Sequence, residues 1–319
     1  MKTLRITATC LLLLASSMLC KAADLLQPSG TYFYATNDGQ DLYLDVYDPA
    51  PGSETCIDGK QKPAVLFMFG GGFKSGRRDD KSFDGWFRML TGAGFRVVSI
   101  DYRLGLKGDA GKGRKFLKNM DRALHLAVED LYSATNFLLD NAEELGIEPD
   151  GIVISGSSAG AMTVLQAEWM ICNSAPEAAV LPDGFNYAGV MAFAGAIFSR
   201  EGAIRYDREP CPTMMCHGTE DNIVTYKKIQ LFNLVFAGTD AISKVFSRNG
   251  YNYNTFRYLG HTHNISVNMA HDFDKEVEFI EHNVMKGEKR IIDTEIDDPS
   301  LEIPEWARNT SLKTLYKKK

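Results

Sequence analysis

Five short runs of apolar residues, at 64–69, 97–100, 152–154, 190–193 and 213–215, constrain the fold of this chain more than any other feature. They are apolar throughout rather than alternating, so each predicts a strand buried on both faces. Such strands need helices above and below them, which requires parallel connections. Residues 253–258 read as a last strand of the same series. Ahead of the series, residues 31–35 and 42–48 alternate around Asn37-Asp38-Gly39, the pattern of an antiparallel hairpin. Between the runs, apolar residues at 124, 127, 128, 131, 134, 138, 142 and 145 trace one helix face, stopped by Gly146. A second helix runs from the 152–154 strand through Trp169, and a long amphipathic one covers 268–285.

The sequence contains no internal repeat and no linker, so residues 23–319 form a single domain. With 319 residues, 45% of them hydrophobic, such a domain needs no disulfide staple. Residues 289–319 are polar and aperiodic apart from Trp306, and read as a strap or partly disordered tail. The 194–209 connection is too short for a substantial lid; residues 105–118, rich in Gly and Lys, suit a small flap.

Residues 1–22 read as a signal peptide, with Lys2 and Arg5 before an apolar stretch and Ala22 and Ala23 after it. That stretch is shorter than the roughly 20 residues of a membrane span. Leu19 is too bulky for the site preceding a lipid-modified cysteine, which disfavours a lipoprotein anchored through Cys20. Cleavage after Ala22 removes three basic residues and no acid, taking the net charge from -6 to -9. That acidity argues against a nucleic-acid partner, and Lys317-Lys318-Lys319 reads as a solvated tail. Cleavage also leaves Cys56, Cys172, Cys211 and Cys216. Cys211 and Cys216 flank an extended segment of about 16 Å, too far apart to bond across the roughly 7 Å that a disulfide tolerates.

Gly156-Ser157-Ser158-Ala159-Gly160 lies between a buried strand and a helix. Alone, the pattern also fits a flexible loop. In this position the glycines leave room for a strained turn, and Ser158 stands at a helix N-terminus that favours negative charge. A serine hydroxyl is a weak nucleophile and needs a base. Downstream, His217-Gly218-Thr219-Glu220-Asp221 offers Asp221 as the acid, with Glu220 as the adjacent alternative. The bland role for Asp221 is capping a helix that begins near Tyr226. His261 and His263 follow the last strand, and either imidazole can serve as base. His125, His271 and His282 read as structural, and His217 as a local hydrogen-bonding residue. Phe69-Gly70-Gly71-Gly72-Phe73 follows the first buried strand; the N–H groups of Gly71 and Gly72, with that of Ala159, are candidate oxyanion donors. Losing one such donor typically costs about 2.7–4 kcal/mol of barrier. The glycine run lacks the Lys-Ser/Thr pair of a phosphate loop. No Cys/His cluster has zinc spacing, so no metal and no other cofactor is implied.

Four motifs in order, Gly70-Gly71-Gly72-Phe73, Asp101-Tyr102-Arg103-Leu104-Gly105, the serine turn and His217-Gly218-Thr219-Glu220-Asp221, resemble the carboxylesterase and hormone-sensitive-lipase-like branch of the α/β-hydrolase superfamily. The resemblance spans residues 43–287. It implies an α/β-hydrolase fold: a mostly parallel central sheet, an N-terminal antiparallel hairpin and helices on both faces. The family's aromatic-x-Gly-x-x-His pattern implies His263 as base, whereas a shorter Gly-His reading selects His261. Phe69 stands where the family usually has histidine, which changes the packing behind the glycine loop. The implied activity is hydrolysis of small or glycan-linked carboxylic esters by Ser158, His263 and Asp221 through an acyl-enzyme. Export and a small lid suit acetylated or feruloylated glycans better than long lipids. The rival is a non-catalytic binding protein on the same fold; a peptidase would need a further large domain. Asn264-Ile265-Ser266 and Asn309-Thr310-Ser311 match the N-glycan acceptor pattern, and a glycan on Asn264 would crowd the base. Periplasmic or bacterial export is therefore favoured over a eukaryotic secretory route.

Overall fold

The computed structural model describes residues 25–108 and 110–316. The leader at 1–22 with Cys20, and the lysines at 317–319, lie outside the described residues. Nine strands form the central sheet: β1 Gly30–Asn37, β2 Gln40–Tyr47, β3 Ala64–Met68, β4 Arg96–Ile100, β5 Ile152–Ser157, β6 Gly189–Phe193, β7 Thr213–Gly218, β8 Tyr253–Tyr258 and β9 Ile291–Ile296. Their spatial order is β1-β2-β4-β3-β5-β6-β7-β8-β9. β2 is antiparallel to both neighbours, and every pair from β4 to β9 is parallel. The interior strands β3, β5, β6 and β7 are buried at every position, as their unbroken apolar runs require.

Helices α2 Arg114–Asp140, α3 Ala159–Cys172 and α4 Thr239–Asn249 cover one face of the sheet, and α1 Asp84–Gly92 and α5 Phe273–Phe279 the other. Along α2 the buried stripe of Met120, Leu124, Val128, Leu131 and Leu138 follows the helical repeat. The helix breaks at Asn141, and a last turn, Ala142–Leu145, closes on Gly146 in the left-handed conformation. On the opposite face Phe67 of β3 meets Phe83, Trp86 and Phe87 edge-on, with ring centroids 4.8–5.5 Å apart.

Four expectations need correction. The polar tail contributes Ile291–Ile296 as a ninth strand, so 253–258 is not the last. This edge strand is polar because much of it faces water, and Asp293 pairs with Arg257 of β8. No helix begins near Tyr226; Lys228–Leu231 and Leu234–Gly238 form a hairpin that pairs with Ala196–Ser199 in a small antiparallel sheet. Of the residues expected as a small flap, 105–118, the last five belong to α2, which starts at Arg114. Residues 268–285 divide into a 3-10 turn, α5 and a π-helical turn at Ile280–Met285. Among the described residues, no helix is long and apolar enough to cross a membrane. Cys56 is an exposed thiol, and Cys172, Cys211 and Cys216 are buried thiols.

Glu276 of α5 lies fully buried against α1, where Trp86 Nε1 donates to its Oε2 at 2.7 Å. Its Oε1 has no partner among the described residues. Burial pushes this carboxyl well above the usual range, against the Trp86 hydrogen bond, and the nearby Asp272 adds to the shift. In the unfolded chain the same group ionises near pH 4, so stability falls from there upward until the folded carboxyl also ionises. Glu276→Gln should flatten that decline and raise stability at pH 8 by about 1–3 kcal/mol. Urea unfolding at pH 5 and pH 8 measures this; a variant with the wild-type pH slope contradicts it.

Candidate active site

The serine turn is set by close packing of α3 against both β5 and β3. A Cβ on Gly156 would fall 2.3 Å from the carbonyl carbon of Gly160, and one on Gly160 would fall 2.1 Å from the Met68 oxygen. Only glycine permits that approach, which explains the residues two before and two after the serine. Ser158 is left at φ 52 and ψ -112, a left-handed backbone that L-residues rarely adopt. The turn lifts its side chain above the carboxyl end of the sheet, beside the first free N–H groups of α3. The sheet's chain order reverses at β3, so the loops leaving β3 and β5 diverge and open a crevice there.

Two further loops, after β7 and β8, bring Asp221 and His263 to this point. Ser158 Oγ lies 2.7 Å from His263 Nε2, and His263 Nδ1 lies 2.7 Å from Asp221 Oδ2. Ser158, His263 and Asp221 are thus brought into one hydrogen-bonded line, with the two loops packed tightly together. A Cβ on Gly218 would strike the carbonyl oxygens of Thr262 and His261, at 2.3 and 2.4 Å. Glu220 is exposed and lies outside the line, its backbone N–H donating to the His261 carbonyl. His261 lies elsewhere as well. Its Nε2 faces the Asp298 carbonyl at 3.3 Å, and its Nδ1 faces the Asn264 amide at 3.1 Å. Asn264 is fully buried, so that acceptor pattern is closed to a glycan in this fold.

Asp221 divides its oxygens between two tasks. Oδ1 accepts from the backbone N–H groups of Ile223 and Val224 at 2.8 and 3.0 Å, which fixes the carboxylate plane. Oδ2 faces His263 and also His217 Nε2, the latter at 3.2 Å. Burial alone would raise this carboxyl, but hydrogen bonds from His217 and His263 outweigh it and hold the group well below the usual range. His217 is fully buried, with Nδ1 2.9 Å from the Thr239 hydroxyl. Its second role, buttressing Asp221, was missed in sequence; the signal available was its fixed spacing of four from the acid. Ser157 and Ser266 were missed too. Ser157 Oγ donates to the Ser266 carbonyl at 2.6 Å, and Ser266 Oγ donates to the His263 carbonyl at 2.7 Å. Nothing in sequence distinguishes these serines from ordinary loop residues.

The glycine loop closes the site from the β3 side. Gly71 and Gly72 both have positive φ, 107 and 64, and the Gly71 carbonyl accepts from Lys74 and Ser75 in a tight turn. Behind it, Phe69 stacks on Tyr102 with ring centroids 4.4 Å apart, and the Tyr102 hydroxyl donates to the Phe69 carbonyl at 2.9 Å. An aromatic ring thus fills the space behind the loop. Neighbouring Arg103 is tied to the buried Asp130, with Asp38 and Glu129 completing its ion pairs.

Two cavities meet at Ser158. One, about 350 Å³, is walled by apolar side chains, among them Phe116, Met120, Met162, Ile229 and Phe236, and reaches Gly72 and Ala159. The other, about 370 Å³, is lined by Gly70, Gly71, Asp80, His263, Ser266 and Trp306. Ile229 and Phe236 come from the small sheet, and Phe116 and Met120 from the start of α2. Among the described residues, no three His, Cys, Asp or Glu side chains are grouped so as to hold a metal ion.

A family model described as BD-FAE matches residues 44–169, which include the glycine loop and the serine turn but neither Asp221 nor His263. Esterase LipI of Mycobacterium tuberculosis is 33% identical over 107 residues, covering 33% of this chain and 28% of its own length. Gut esterase 1 of Caenorhabditis briggsae is 32% identical over 107 residues, covering 34% of this chain and 18% of its own length. The chain therefore spans less than a third of either relative. Among solved structures, a thermophilic esterase from the planctomycete Thermogutta terrifontis, with butyrate bound, has a TM-score of 0.56 at 22% identity, covering 80% of this chain and 96% of that one. The architecture is thus that of an α/β-hydrolase fold, and the segment carrying the glycine loop and the serine turn is similar to esterases.

Because no space exists for a methyl group at the turn, Gly156→Ala should destabilise the fold by about 1–3 kcal/mol. Thermal unfolding monitored by circular dichroism checks this: a midpoint several degrees lower is expected, and an unchanged midpoint contradicts the packing described.

Proposed function

We propose that the protein is a serine esterase that cleaves carboxylic esters through a covalent acyl-serine. The single observation that carries this reading is the continuous line from Ser158 Oγ through the His263 ring to Asp221. In the proposed reaction His263 Nε2 takes the hydroxyl proton as Ser158 Oγ bonds to the ester carbonyl carbon. Asp221 holds the ring in the tautomer with a proton on Nδ1 and stabilises the imidazolium that forms. N–H groups of Gly71, Gly72 and Ala159 stabilise the oxyanion. His263 then passes its proton to the alkoxy oxygen as the carbon–oxygen bond breaks and the alcohol departs. Water, deprotonated by the same ring, releases the acid and restores Ser158.

This proton path fixes the sense of substrate binding. The leaving oxygen must lie against His263, so the alcohol occupies the cavity lined by His263, Ser266 and Trp306. The acyl group then enters the apolar cavity, which His263 does not line. Trp306 is 44% exposed, and with Asp80 near by it offers an aromatic face and an acceptor to a polar, bulky alcohol. A glycan-linked ester with an apolar or aromatic acyl group fits both halves; simple acetate leaves most of the acyl side empty. The basic and apolar start of the sequence supports export to the periplasm or medium, where such polymers are met.

Wild-type protein should hydrolyse aryl butyrate and methyl ferulate, and a fluorophosphonate probe should label Ser158. Ser158→Ala should abolish labelling and lower turnover by about 10⁶, with Asp221→Asn lower by about 10⁴. Undiminished turnover by Ser158→Ala rejects the assignment. A wild-type protein that neither labels nor hydrolyses esters indicates a binding protein on this fold. Activity confined to long triglycerides rejects the glycan substrate.

A further inference from the structure

The C-terminal residues 304–316 cross the mouth of the crevice and are tied to three of the four loops that supply the proposed machinery: those carrying His263, Asp221 and the glycines. Ala307 is fully buried, and its carbonyl accepts from the hydroxyl of Thr262, next to His263, at 3.4 Å. Leu312 N–H donates to the carbonyl of Asn222, next to Asp221, at 3.2 Å. At the glycine loop, Lys74 Nζ donates to the Leu315 carbonyl at 3.3 Å and the Tyr316 hydroxyl donates to the Gly72 carbonyl at 2.8 Å. The Tyr316 ring packs at a tilt on Phe116, with centroids 5.0 Å apart.

The bond to Gly72 reaches a sensitive place. Gly72 has φ 64 and no side chain, so its peptides are among the least restrained in the loop. A donor on its carbonyl fixes ψ and thereby the aim of the adjoining peptide groups. A Cβ on Gly72 would meet the Tyr316 hydroxyl at 2.8 Å and Leu315 Cδ2 at 3.2 Å, so the strap rests directly on this residue. Preorganised donors stabilise an oxyanion because they need no reorientation during the reaction. The strap also divides the substrate space. Leu312, Leu315 and Tyr316 line the apolar cavity, Trp306 and Thr310 line the cavity at His263, and Leu315 borders both.

We propose that the strap is a working part of the site, with Tyr316 the positioning residue for Gly72 and Leu315 the wall that sets acyl length. The proposal rests on the esterase reading above. Burial, which raises the Tyr316 hydroxyl, keeps it protonated as a donor.

Two variants of the full chain, assayed on aryl acetate, butyrate and octanoate beside wild type, test this. Tyr316→Phe keeps the ring on Phe116 and loses only the hydroxyl. Its kcat on butyrate should fall about 10-fold, less than loss of a whole oxyanion donor, with KM within about twofold and the melting midpoint unchanged. Leu315→Ala enlarges the acyl side, and its octanoate-to-acetate ratio of kcat/KM should rise about 10-fold. A structural prop alone would lower the midpoint and leave that ratio where it was. Wild-type kcat in Tyr316→Phe overturns the positioning role, and an unmoved ratio in Leu315→Ala overturns the selective wall. If wild type hydrolyses none of the three esters, the esterase reading falls and takes the strap's role with it. Active wild type with indistinguishable variants removes the strap's role alone.

Discussion

The approach of α3 to β5 and β3 is the constraint on which the rest of the site depends. Gly156 lets β5 close on the first turn of α3, and Gly160 lets α3 close on the end of β3, at distances that exclude even a methyl group. Ser158, between the two glycines, has a left-handed backbone. Holding one residue there costs on the order of 1–3 kcal/mol, offset by the buried strands around it. The result is a hydroxyl raised out of the sheet at the head of a helix. Distance to the base is then set by whole strands rather than by one flexible loop, because the carboxylate and histidine loops leave β7 and β8, respectively, of the same sheet.

Electrostatics complete the arrangement. A carboxylate buried without partners would take up a proton and be of no use to an imidazolium. Asp221 avoids this by accepting two backbone hydrogen bonds on one oxygen and that of His263 on the other, with His217 Nε2 3.2 Å from the second oxygen. Glu276, buried against Trp86 with one oxygen unpartnered, goes the other way, its carboxyl pushed well above the usual range by burial. The two carboxyls differ in donors supplied, not in depth, and only the first lies at the crevice.

Much of the scaffold was legible in sequence because burial on both faces leaves an unambiguous apolar run, as at 64–69 and 152–154. The edge strand Ile291–Ile296 was not, since a strand with one wet face and charged residues reads as tail. The hairpin at 228–238 was obscured likewise: its first strand is exposed at every position. At the site, residues with distinctive chemistry and spacing could be named in advance. Ser157, Ser266 and the second bond of His217 could not, because their work is done through backbone carbonyls or across the fold. The choice between His261 and His263 turned on two residues of register. Only the path of the loop, closed around Gly218, decides which ring faces the serine.

Central to this account is the proposed tautomer of His263, with the Nδ1 proton between the ring and Asp221 while Nε2 faces Ser158. Nitrogen-15 and proton NMR of histidine-labelled protein at neutral pH, assigned by comparison with His263→Gln, observes that proton directly. The account predicts an Nδ1–H resonance shifted far downfield and protected from solvent exchange. A ring protonated on Nε2, or a freely exchanging Nδ1 proton, would contradict it.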